Sequence, residues 1–142
     1  KFEVICWFRR SELMQSKREN DEKACKAADH FTKIYHEAVD RKRNKVNFLY
    51  VDDGTLVWNG NLIQGAENIT KFFESLPVSQ HSVAALDCHY LDDEENPPYP
   101  LVVFLAGNVS LGGAAHGYTQ TFILVYEDEK YKIKSDRFRF ID

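Results

Sequence analysis

The chain has 142 residues, a net charge of −4, 28% charged and 13% aromatic residues. That length supports one self-sufficient core, and that composition excludes a disordered segment. The negative charge argues against a general phosphate-binding surface, and no run approaches the roughly 20 apolar residues of a membrane span. Phe2 to Phe8 is apolar, but it lacks a basic leader and is short for a signal-peptide core. Three cysteines (Cys6, Cys25 and Cys88) show no metal-ligand spacing, so no metal is expected. Their odd count suits a reducing compartment, cytosol or nucleus. Asn68-Ile69-Thr70 and Asn108-Val109-Ser110 match the glycosylation pattern, which is weak enough to be read as chance.

In chain order, residues 1–18 read as an N-terminal extension of unassigned role: a short strand over Phe2–Phe8, an arm docked on a partner, or a remnant. The domain proper is expected over 19–142. Ser16 and Glu19 have capping-box spacing, and Ala24, Ala27, Ala28, Phe31, Ile34, Tyr35 and Ala38 then form one helical stripe. Its alanines would let the helix sit close to a sheet. Arg41-Lys42-Arg43-Asn44-Lys45 is the strongest basic run; it reads as a solvated helix face, with direct RNA contact not expected. Val46, Phe48, Leu49 and Tyr50 return to the core, and Asp53-Gly54 reads as a turn. Leu56 to Ile63 is a hairpin, because Asn59-Gly60 supplies the two positive-φ residues of a type I′ turn. Ile69, Phe72, Phe73 and Leu76 form a second helix ended by Pro77. Strands follow at 82–91, 101–111, 118–127 and from Tyr131 to the end, separated by an acidic, proline-rich loop at 92–98 and by turns at Gly112-Gly113 and Asp128-Glu129. The fold class is α+β: N-terminal helices packed against a curved, mainly antiparallel sheet.

The strands carry an unusual pattern. Leu101 to Ala106 and Phe122 to Tyr126 are apolar on both faces, whereas helices can cover only one. A second covering is needed, either another subunit or a closed ligand cavity. The last strand repeats the theme. Asp136, Phe138 and Phe140 lie on one face, with Tyr131, Ile133, Arg137, Arg139 and Ile141 on the other. If the aromatics face the core, the arginines face a partner.

No phosphate loop, dinucleotide fingerprint, nucleophile elbow or kinase signature is present. Asp87 and His89 share a strand face and could form an acid–base pair, though a polar strand edge explains them more simply. His30, His36, His81 and His116 show no convergent partners. No catalytic residue and no cofactor is expected.

Several motifs, taken together and in this order, resemble one family. These are Thr55-Leu56-Val57-Trp58-Asn59-Gly60-Asn61, Gly65, Phe72-Phe73-Glu74-Ser75-Leu76-Pro77, Leu86-Asp87-Cys88, Gln120-Thr121-Phe122-Ile123-Leu124 and Ser135-Asp136-Arg137-Phe138-Arg139-Phe140. From about Asp21 to the end the chain looks like the nuclear transport factor 2-like family, and most like its export-cofactor branch. The resemblance implies a cone-shaped domain that dimerises through its open sheet face. It implies a non-enzymatic heterodimer with the related domain of the messenger-RNA export receptor, stabilising that domain and supporting its nucleoporin binding. The complex would shuttle between nucleus and cytoplasm and associate with the nuclear pore. Carried over residue by residue, Trp58 and Phe138 would line the cavity. Arg139, Arg137, Phe104, Thr121 and Ile123 would meet the partner, with Arg139 pairing an acid on the receptor.

The family's importer of the GTPase Ran carries acids where this chain has Asn59 and the neutral run Gly112-Gly113-Ala114-Ala115. The alternative readings are therefore a Ran-GDP-binding homodimeric import factor, or a small-molecule isomerase or dehydratase built on the same fold.

Overall fold

The structure, a computed structural model, describes residues 2–91 and 97–142, with side chains from residue 17 onward. Most of the expected acidic loop, residues 92–96, thus lies outside the described residues. The first helix, α1, runs from Phe2 to Arg41, so the backbone over Phe2–Phe8 is helical, which overturns the short-strand reading among the three considered for that segment. Its buried stripe is Ala24, Ala28, Phe31, Tyr35, Ala38 and Val39, the three-and-four spacing of one helix face. Ile34 was expected in that stripe but is 42% exposed, because it sits one residue off the face. A 3-10 helix at Arg43–Leu49 follows and buries Val46, while Phe48, expected in the core, is 54% exposed. The second α-helix, α2, spans Ala66–Ser75 and buries Ile69 and Phe73.

Six strands form one sheet: β1 Tyr50–Trp58, β2 Asn61–Gln64, β3 Ser79–Tyr90, β4 Leu101–Leu111, β5 Ala114–Glu127 and β6 Lys130–Phe140. Their order is β2-β1-β6-β5-β4-β3, with β1 and β6 parallel and every other pair antiparallel. The last strand is therefore central and joins the N-terminal hairpin to the C-terminal meander. Asn59 and Gly60 have φ of 46° and 86°, as the hairpin turn requires. The expected turn at Asp53-Gly54 does not form. β1 runs straight through it, and the irregularity appears as a register shift against β6 between Tyr50 and Thr55.

Two bulges re-aim side chains. One lies between Val83 and Ala85, opposite Gly107, where an added Cβ would meet the Ser82 carbonyl oxygen at 2.0 Å. Only glycine allows the strands to approach there. The other lies between Ile123 and Leu124 against β6, so that Leu124 pairs with Ile133 while Ile123 pairs with Ser135. It turns Ile133 inward, into the core with Asp136 and Phe138. Strict alternation had placed Ile133 with the arginines, and the one-residue bulge overturns that placement.

The helices cover one face of the sheet. Leu101, Val103, Leu105, Tyr118, Phe122, Leu124, Ile133 and Phe138 point into that core.

Candidate protein interface

The other face is where the predicted partner residues stand. Strand registers align Asp87, Phe104, Thr121, Arg137 and Val57 in one row across five strands, β3-β4-β5-β6-β1. Ile123 and Val102 pair in the adjacent row, and Thr119 and Arg139 pair on the opposite side. Phe104 is 42% exposed and stacks on His89 at 6.2 Å between ring centroids. Thr121 and Ile123 are half-buried, and Arg137 and Arg139 are exposed. Neither arginine has an ionic partner among the described residues. A shallow depression of about 300 Å³ runs between Asp87, Phe104, Ala106 and Thr121. Asp87 and His89 belong to this face; they do not point into the cone, so they form no internal acid–base pair.

Behind the face, aromatic rings stack in the interior. Trp58 and Phe138 stack at 4.0 Å with planes 4° apart, and Tyr118 continues the stack at 5.1 Å from Phe138. One carboxylate sits in the core. Asp136 is fully buried and accepts hydrogen bonds from Tyr50 Oη at 2.7 Å, Gln120 Nε2 at 2.9 Å and Tyr35 Oη at 3.4 Å. Burial pushes its pKa up to about 7, against the pull of those three donors. Burial, and next the charge of Asp136, push Tyr35 and Tyr50 well above the usual phenol range, so both remain donors. The network ties α1 to β1, β5 and β6.

The family model for the nuclear transport factor 2 (NTF2) domain matches residues 27–140. The NTF2-related export protein of Caenorhabditis elegans is 38% identical over 131 residues, covering 90% of this chain and 96% of its own. The chain belongs to the NTF2 family, among the NTF2-related export proteins. Solved NTF2-like structures agree in fold. Ntf2 from Cryptosporidium parvum overlays with a TM-score of 0.70 at 24% identity, covering 82% of this chain and 93% of that one. The Mtr2–Mex67 M domain complex of Candida albicans gives 0.66 at 15% identity, covering 79% and 92%.

Within this NTF2 domain two further clusters are placed by the structure. At the seam between α1 and β3 lies a cleft of about 700 Å³ lined by Thr32, His36, Asp40, Ser79, His81 and Leu86. His36 and His81 stack at 4.7 Å, and Asp40 accepts from the His81 backbone N–H at 2.9 Å and from Ser79 Oγ at 2.7 Å. Asp40 Oδ1 also lies 2.7 Å from His81 Nδ1. Burial raises the Asp40 pKa, but the His81 and Ser79 hydrogen bonds outweigh it and leave the carboxyl below its ordinary value. Burial brings His36 down to about 4, so its ring is neutral near pH 7, and its Nε2 is buried without a partner among the described residues. These histidines do converge, contrary to expectation. The contacts join residues far apart in sequence, 41 for Asp40 and His81, which no local spacing reveals. His116 likewise lies against Asp142 at 2.9 Å.

The basic run is dismantled by the fold. Arg43 donates to the carbonyls of Val39, Leu76 and Pro77 and to Ser79 Oγ, clasping the ends of both α-helices to the start of β3. Arg41 faces Glu37 at 3.9 Å. Of the run's four cations, only Lys42 and Lys45 lack an acidic or hydrogen-bonding partner among the described residues, and Lys45 lies over the Phe48 ring at 5.8 Å.

Proposed function

We propose that this NTF2 domain is the small, non-enzymatic subunit of a heterodimer in nuclear messenger-RNA export. Its uncovered sheet face would close over the corresponding face of a related domain in the export receptor. The observation that carries the reading is the row from Asp87 through Phe104 and Thr121 to Arg137, with Arg139 beside it, an exposed aromatic and two arginines without ionic partners among the described residues on a face the helices leave open. The names of its relatives supply the pathway: an export protein at 38% identity, and the fold likeness to Mtr2 bound to the Mex67 M domain.

In this reading Phe104 and Ile123 form the apolar centre of the interface, with Thr121 and Arg137 beside them. Arg139 pairs with a receptor carboxylate that becomes desolvated. Trp58 and Phe138 seal the interior behind them. Stabilisation of the receptor domain follows from covering its apolar sheet, and support of nucleoporin binding follows from that stabilisation. Shuttling between nucleus and cytoplasm, with passage at the nuclear pore, is the corresponding location.

Two alternatives are less favoured. A Ran carrier requires an acid where Asn59 stands, and here the Asn59 amide oxygen accepts the Phe140 N–H at 2.8 Å. An isomerase or dehydratase requires an acid–base group open to a substrate, whereas Asp136 is enclosed by Tyr35, Tyr50 and Gln120.

The deciding experiment is titration calorimetry of the chain against the receptor's NTF2-related domain, with Ran-GDP as comparator. Saturable one-to-one binding to the receptor domain is expected. Micromolar binding to Ran-GDP alone would replace this reading with the carrier.

A further inference from the structure

The seam between α1 and β3 holds a second chemical feature. Cys25 Sγ and Cys88 Sγ lie 3.6 Å apart, although 63 residues separate them in sequence. Cys25 is exposed on α1, and Cys88 is 8% exposed on the inner face of β3. Ala24 and Ala28, both fully buried, flank Cys25 along the helix and allow α1 to lie this close. We propose that Cys25 and Cys88 form a modification site, a dithiol that a hydroperoxide converts into an intramolecular disulfide joining α1 to β3.

The chemistry closes without another reactant. The Cys25 thiolate attacks a peroxide oxygen, the O–O bond breaks, and the alcohol or water leaves with one proton, giving the Cys25 sulfenic acid. The Cys88 thiolate then attacks that sulfur, an S–S bond forms, and hydroxide departs to take up the Cys88 proton as water. Two thiols lose one electron each, and the peroxide gains two. The sulfurs must close from 3.6 Å to the roughly 2.05 Å of a bond, which is within side-chain adjustment.

The environment sets the order of events. Burial, the Cys25 contact and the charges of Asp87 and Asp21 push the Cys88 thiol up to about 12. Cys88 is therefore scarcely ionised near neutral pH, and the exposed Cys25 is the sulfur that meets the oxidant. Contact placement offsets that scarcity, since well-oriented intramolecular reactions reach effective molarities of about 10⁵–10⁸ M. The second step is expected to accelerate as pH rises from 7 to 9, as attack by a thiolate of raised pKa requires.

The test uses the full chain. Hydrogen peroxide is added at pH 7, 8 and 9, free thiols are alkylated, and unreduced peptides are mapped by mass spectrometry. A Cys25–Cys88 cross-link reversed by dithiothreitol is expected, with the oxidised form melting about 10 °C higher because a long loop is closed. Cys88→Ser should leave a sulfenic acid on Cys25 that dimedone traps. Cys25→Ser, at an exposed position, should fold normally and form no link. The proposal is overturned if Cys25 forms only intermolecular dimers, pairs with Cys6, or advances to the sulfinic acid while Cys88 remains alkylatable.

Discussion

The two faces of this sheet are built from the same strands and obey opposite rules. Inward, Phe122 and Leu124 are fully buried, and even the one carboxylate, Asp136, is enclosed by three donors. Outward, one residue along the same strands, Thr121 and Ile123 are half-buried while Arg137 and Arg139 have no ionic partner among the described residues. The inner face is finished within the chain, and on the proposed reading the outer face is finished against a partner. Stability and recognition would then be separated by the two-residue period of a strand.

The largest test of this separation lies inside. Phe122→Ala should cost about 3–5 kcal/mol in a urea melt, because its ring packs edge-on against Phe31 and Tyr35. Next, Arg139→Glu should leave the melt within about 0.5 kcal/mol of the parent yet weaken receptor binding by about 2–5 kcal/mol, read by calorimetry. Equal losses in both measurements would erase the distinction between the faces.

A third test uses pH. Asp136 keeps its proton in the fold up to about pH 7 but releases it near 4 when unfolded, so its contribution is full below about 4 and is lost as pH rises through 7. His36 stays neutral in the fold down to about 4 but protonates near 6.5 when unfolded, so it destabilises the fold as pH falls below about 6.5. The two slopes oppose each other between about pH 4 and 6.5, and a nearly level stability curve is expected there. Asp136→Asn should leave the His36 slope, a loss on acidification on the order of 1–3 kcal/mol, and His36→Gln should leave the reverse slope. Smallest, Phe104→Ala should weaken partner binding by about 1–2 kcal/mol with the melt unchanged, since the ring is already part-solvated in the free chain.

Much of the fold was legible in the sequence. Asn59-Gly60, Gly112-Gly113 and Asp128-Glu129 all turn where expected, the first pair with the positive φ its residue types foretold, and Leu101–Leu111 is a strand with the expected ends. The motif resemblance led to the family that the comparisons support. What was not legible has a common cause, which is interaction at long sequence separation. The bulge that turns Ile133 inward depends on where β5 pairs with β6. Arg43 reads as surface charge until Leu76 and Pro77 arrive beside it. The His36–His81 stack and the Cys25–Cys88 contact likewise need α1 laid along β3. Asp136 did leave a signal, an acid alternating with aromatics, and the structure explains it as the hub of the buried network.

The strand order also governs when this fold can form. β6 is the last of the six strands in sequence, yet it lies between β1 and β5 and pairs with both. Until it docks, the β1–β2 hairpin has no parallel neighbour and the β3–β4–β5 meander lacks its fourth strand. Tyr50 must find Ile133, a closure across most of the chain that local contacts cannot shortcut. Folding is therefore expected to be slow for a domain of this size. Meanwhile the unpaired edge of β5 stays open to other strands.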